Sequence, residues 1–186
     1  MRESLRHRLL RYATVLAIVA VVGGLTVRRE YFAGGDGVAA GPLEVGRAAP
    51  DFQLETRDGS VRLSDLAGRV VIVNFWATWC GPCRYEMPLL QSLHDARATR
   101  GDVVVLAVNT TSADSRDAAE RYIDEFGFTF PVAFDVSGEV AERYGVIGLP
   151  ASFFVDAAGI LRARTYGPLS EDLLTDGLAA AGVPGD

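Results

Sequence analysis

The chain has two thiols, Cys80 and Cys83, and they stand in the run Trp79-Cys80-Gly81-Pro82-Cys83. A bridge between them closes so short a loop that it removes little entropy from the unfolded chain, so it is a poor staple for a fold. The spacing suits reactivity instead: one sulfur attacks as thiolate and its neighbour resolves the mixed disulfide. Other chemistries are poorly served. With two Cys and two His (His7 and His94) in 186 residues, a four-ligand zinc site or a His-based triad is nearly excluded by counting. His94 falls late in a helical stretch and reads as a surface residue. The chemistry calls for no cofactor, and no metal site is read.

A bare C-x-x-C reads equally as two buried structural thiols or half of a metal site, so the flanking elements decide. Val70–Phe75 is a continuous apolar run, as expected of a strand buried on both faces. A helix follows from about Cys80 to Ala98, with Met87, Leu90 and Leu93 on one side. Cys80 therefore belongs at a helix N-terminus, where unpaired N–H groups and the macrodipole favour a thiolate. Gly81 and Pro82 shape a tight turn, and Trp79 supplies an apolar ledge beside the sulfur on the substrate side. Pro150, ahead of the apolar run Ala151–Val155, reads in two ways. It marks a strand boundary, or a cis Leu149–Pro150 bond brings open backbone beside the sulfurs for an extended client to pair with.

The remaining pattern alternates strands and helices. Phe52–Leu54 and Val61–Leu63 flank Asp58-Gly59, a hairpin signal. Val103–Val108 is a second buried strand. Asp114–Phe126 is an amphipathic helix started by Ser112 or Asp114, whose series Asp114, Asp117, Glu120, Asp124 and Glu125 reads as a solvated face. Val132–Phe134 is short, Glu139–Tyr144 gives two helical turns, and Ser152–Val155 joins Leu161–Tyr166 through Asp156–Gly159. Ser170 caps a last helix to about Ala181, with Glu171 and Asp172 in the favourable first turn. The order β-α-β-α-β-β-α implies an α/β fold: a mixed sheet flanked by helices on both faces.

Ahead of this domain, residues 1–11 are basic and Tyr12–Val27 runs 16 residues without a charge. The expectation is an uncleaved transmembrane anchor over 12–29, inserted in the membrane as a single N-terminal helix. A cleaved signal peptide is the competing reading, but no small-x-small site closes the segment. Four Arg precede it and two follow, which places the N-terminus in the cytoplasm and the body on the outer, periplasmic or extracellular, face. Residues 30–47 are glycine-rich and read as a flexible tether, leaving 48–186 as the globular domain. The net charge of −6 divides into +5 over residues 1–29 and −11 over 30–186. An acidic body without a basic stripe is no partner for nucleic acid.

The segment Val73-Asn74-Phe75-Trp76-Ala77-Thr78-Trp79-Cys80-Gly81-Pro82-Cys83-Arg84-Tyr85-Glu86-Met87-Pro88 resembles the active-site region of thioredoxin-like proteins. It is most similar to the membrane-anchored TlpA/ResA-type reductases. Ala49-Pro50-Asp51-Phe52 resembles the entry to their extra N-terminal β-hairpin, Pro88 the proline of their active-site helix, and Gly148-Leu149-Pro150-Ala151-Ser152-Phe153-Phe154 the loop whose cis-proline faces the redox pair. The resemblance implies a thioredoxin-like fold and extracytoplasmic thiol–disulfide exchange, with Cys80 attacking, Cys83 resolving, and Trp79, Leu149 and Pro150 on the substrate side. It aligns Glu86 with a glutamate of the ResA type. Buried, that carboxyl raises the thiol pKa values and titrates with them; exposed, it is an ordinary helix residue. Asn74 replaces the buried aspartate of thioredoxin and satisfies local hydrogen bonds. The implied partners are a client protein with a disulfide, such as an apocytochrome c or a protein with copper-site cysteines, and a membrane thiol-electron donor. Two alternatives share the thiols: a dithiol oxidant, and a copper-binding chaperone, for which no His or Met is spaced to complete the site. A peroxiredoxin would need Thr three residues before its reactive cysteine, where Ala77 stands.

Overall fold

The structure, a computed structural model, describes residues 43–183. The basic segment, the proposed anchor and most of the proposed tether lie outside the described residues. Among the described residues no helix is long and apolar enough to cross a membrane.

Seven strands form one mixed sheet. They are β1 (Gln53–Thr56), β2 (Ser60–Arg62), β3 (Val70–Trp76), β4 (Val103–Asn109), β5 (Val132–Phe134), β6 (Ala151–Val155) and β7 (Leu161–Tyr166), in the order β2-β1-β5-β4-β3-β6-β7. β3, β4 and β5 are parallel, while β6, β7 and the β1–β2 hairpin are antiparallel to their neighbours. The hairpin turns where Asp58-Gly59 predicts it, with Thr56 N–H donating to the Gly59 carbonyl at 3.0 Å.

β3 and β4 are buried at every residue, and the pleat sends alternate side chains to two cores. Val70, Ile72 and Trp76 join Val103, Val105 and Ala107 on one face. Val71, Val73 and Phe75 join Val104, Leu106 and Val108 on the other. The first face is covered by α1 (Gly81–Arg97), α2 (Arg116–Phe126) and α4 (Glu171–Ala180). The second is covered by α3 (Glu139–Arg143), Tyr144, Phe52 and the 3-10 turn Leu63–Leu66. Residues Gly46 and Arg47, at the end of the segment read as a tether, bond to the backbone of Leu161 at the start of β7.

Helix starts follow local capping chemistry where it is unopposed. Ser170 Oγ accepts from Leu173 N–H at 3.2 Å, as the sequence implies. Packing of α4 is tighter than its sequence suggests: a Cβ at Gly177 would come within 2.4 Å of the Phe154 ring, so the helix reaches the sheet only because no side chain stands there. α2 departs from expectation. Ser112 lies in a 3-10 turn, Thr111–Ala113, and the cap is Ser115, whose Oγ accepts from Ala118 N–H at 3.4 Å. Asp114 neither caps the helix nor faces solvent with Asp117 and Asp124, because it has stronger donors elsewhere.

The register aligns Trp76, Asn109 and Phe134 at one end of the sheet, and Ala151 pairs there with Phe75. The carboxyl ends of the parallel strands and the start of β6 thus converge. Loops from four strands meet at that edge, which is where open α/β sheets place ligands.

Candidate active site

Cys80 is the N-cap of α1 and Cys83 lies in its first turn. Pro82 fits this first turn because the first N–H groups of a helix have no intrahelical acceptor to lose. The two sulfurs are joined as a disulfide, with the Cα atoms 5.3 Å apart. Cys83 N–H donates to Cys80 Sγ at 3.2 Å, so the helix end already offers that sulfur a donor. Exposure separates the pair: Cys80 retains 4% and Cys83 none. Trp79, 63% exposed, stands beside them with its indole N–H donating to the Ala113 carbonyl at 2.9 Å.

Behind the cysteines lies a buried polar cluster. Glu86, three residues beyond Cys83, is 2% exposed, which rules out the solvated alternative. Its Oε2 accepts from Leu169 N–H at 2.6 Å and its Oε1 from Asn74 Nδ2 at 2.7 Å. Burial pushes the Glu86 carboxyl above its ordinary pKa, and the bonds from Leu169 and Asn74 oppose that rise without cancelling it. Asn74 also donates to Ser152 Oγ at 2.9 Å, while its own Oδ1 has no partner.

The Leu149–Pro150 bond is cis. Antiparallel pairing of Phe75 with Ala151 sets Pro150 opposite Trp76, at the sheet edge from which the cysteine loop departs. Pro150 is buried, and its carbonyl accepts from Gly167 N–H at 2.8 Å. Leu149 packs against both cores, and Ile147 two residues earlier is 90% exposed. Along the other flank, a groove of about 400 Å³ runs from Gly81 past Arg84, Tyr85 and Pro88 to Tyr122 and Phe126.

The expected residues therefore do converge: Cys80, Cys83 and Glu86 on one helix, Trp79 before it, Leu149 and Pro150 across the sheet edge. Four others were not singled out for the site by the sequence. Ser152 completes the Asn74 cluster, and Asp114 with Asn109 reaches Thr78 beside the redox turn. Only Ser152 carried a hint, as a hydroxyl inside an otherwise apolar strand.

The chain is similar to known proteins in sequence and in fold. Residues 45–164 match the AhpC/TSA family model. The thiol-disulfide oxidoreductase ResA of Bacillus cereus is 32% identical over 92% of this chain and 95% of its own length. The chain belongs to the AhpC/TSA family. Within it, the ResA of Oceanobacillus iheyensis is 40% identical over 70% of this chain and 69% of its own. Among solved structures, StoA from Bacillus subtilis superposes with a TM-score of 0.61 at 28% identity, covering 69% of this chain and 96% of its own. A thioredoxin-family thiol:disulfide interchange protein from Chlorobium tepidum gives 0.61 at 30% identity, over 73% and 95%. The fold is thus thioredoxin-like, and this member of the family is a protein thiol-disulfide oxidoreductase, working by exchange at the Cys80–Cys83 pair.

Proposed function

We propose that the domain is a reductant of exported client proteins, held on the outer face of the membrane by residues 12–29 and recharged by a membrane thiol donor. Glu86 carries the direction of electron flow. A strongly oxidising dithiol owes its potential to a stabilised reduced form, in which the thiolate is favoured. A carboxyl buried one turn from Cys83 works against a thiolate, whether by its charge or by the poor solvation it shares with the sulfurs. The helix N-terminus pulls the other way by favouring the Cys80 thiolate, and Glu86 opposes it. Cys80 attacks the client disulfide, Cys83 releases the reduced client, and the exposed Trp79 and Ile147 with Leu149–Pro150 receive the client backbone. Apocytochrome c thiols or copper-site cysteines are the clients this reading favours, and tethering keeps the domain at high effective concentration beside its donor.

The reduction potential tests the direction. Equilibration of the domain with glutathione should give a value near the ~−270 mV of thioredoxin; a value near ~−120 mV would make it an oxidant of exported proteins. Topology is tested separately. A reporter fused after Asp186 should be active only outside the cytoplasm, with the full-length chain in the membrane fraction. Soluble mature protein starting near Gly41 would remove the anchor.

A further inference from the structure

The connection between β4 and α2 reaches across the sheet edge and grips the residues that precede Cys80. Asp114 Oδ2 accepts from Thr78 N–H at 2.7 Å and from Asn109 Nδ2 at 2.9 Å, and its Oδ1 accepts from the Thr78 hydroxyl at 2.7 Å. Asn109, fully buried, is itself oriented by Thr111, whose hydroxyl donates to its Oδ1 at 2.9 Å. One residue back, the Ala113 carbonyl takes the Trp79 indole N–H, and Thr110 N–H donates to the Trp76 carbonyl at 3.0 Å. Residues 76, 78 and 79 are therefore each held by the same short segment. Burial would push the Asp114 carboxyl up, but the bonds from Asn109, from Thr78 and from the Ser115 N–H outweigh it and hold it below the usual carboxylate range. It is charged at neutral pH, so these are charge-assisted bonds, about twice as strong as neutral ones.

Trp79 is 63% exposed beside Cys80, and two sets of bonds hold its turn: its own indole N–H on the Ala113 carbonyl, and the carboxylate of Asp114, 36 residues away, which binds both the amide and the hydroxyl of the residue just before the ring.

We propose that Asp114 is a positioning residue for client exchange, fixing Thr78 so that Trp79 stands beside Cys80 as the ledge on which a protein client docks. The inference rests on the exchange function above and adds the residue that shapes its client-receiving surface. Two variants separate contact from charge. Asp114→Ala removes the bonds from Thr78 and Asn109. Asp114→Asn keeps them, since an amide oxygen can accept from Thr78 N–H and Asn109 while the amide N–H donates to the Thr78 hydroxyl oxygen.

The full-length chain labelled with 5-fluorotryptophan gives one resonance for buried Trp76 and one for Trp79. Asp114→Ala should move the Trp79 resonance toward that of free tryptophan and leave the Trp76 resonance in place, which also certifies the fold; Asp114→Asn should leave both. With insulin as the disulfide probe, Asp114→Ala should raise KM about tenfold while reduction of the small neutral hydroxyethyl disulfide changes less than twofold, and Asp114→Asn should restore KM. An unmoved Trp79 resonance in Asp114→Ala overturns the proposal, and so does an equal loss on both substrates. If the parent protein turns over hydroxyethyl disulfide but never insulin, the client reading fails instead, while the fluorine spectra still decide whether Asp114 holds Trp79.

Discussion

Replacing Cys83 with Ser should leave a protein that captures its client and cannot let go. Cys80 retains its place at the start of α1, with some solvent access and a donor from the helix end, so it still attacks a disulfide. Without the second sulfur behind it the mixed disulfide has no internal route to resolution. Non-reducing electrophoresis of Cys83→Ser should therefore show a client adduct that dithiothreitol releases. Cys80→Ser is expected to trap little or nothing, and its turnover of insulin should fall by about three orders of magnitude or more, as when a nucleophile is removed. The asymmetry follows from geometry, since Cys83 is wholly buried in the core that α1 packs against the sheet and cannot meet an incoming sulfur without opening the helix end. Equal trapping by the two variants, or equal alkylation rates for the two thiols in the reduced parent, would reverse or dissolve this assignment of roles.

Glu86→Gln should lower the pKa of the first thiol to ionise by half a unit or more, each unit being about 1.4 kcal/mol. An anion near the pair disfavours a second negative charge, and the neutral amide removes that penalty. The local structure is prepared for the change. Asn74 Oδ1 is buried without a partner, and a flipped Asn74 amide would present it to the new side-chain N–H while the new carbonyl keeps the bond from Leu169. Titration of the thiolate absorbance in the reduced protein measures the shift, and a curve that overlays the parent's would reduce Glu86 to a structural acid. Stability offers a second readout. The folded-state pKa of Glu86 is raised, so its contribution is fully present below the unfolded value and is lost as pH rises through the folded one. Denaturant midpoints should thus move in favour of Glu86→Gln as pH rises above the ordinary carboxylate range; a gap independent of pH would contradict the burial argument.

The reactive centre was legible because its signals are contiguous. An apolar run ending at Trp76, a helix beginning at Gly81 and two thiols at their junction lie within a few residues of one another. Each signal acts through local backbone geometry: strand alternation, capping and the unpaired N–H groups of a first turn. The Ser170 cap and the Asp58-Gly59 turn were readable for the same reason. Pro150 stood at the border, its place at the head of β6 clear from sequence but its position opposite Trp76 set only by strand pairing.

The environment of the thiols was decided elsewhere in the chain. Glu86 reads the same in sequence whether solvated or buried; it is buried, and Leu169, 83 residues away, brings the backbone N–H that compensates its carboxylate there. Ser152 meets Asn74 across 78 residues. Asp114 looked like one more acid on a wet helix face, and its α2 neighbours Asp117 and Asp124 do lie on that exposed face; Thr78, 36 residues earlier, turned it inward. Sequence alone thus determined the reaction, because a thiol pair on a helix end needs only local geometry. Tertiary structure decided what tunes and presents it, because desolvation and hydrogen-bond partners are properties of the space around a side chain and not of its neighbours along the chain.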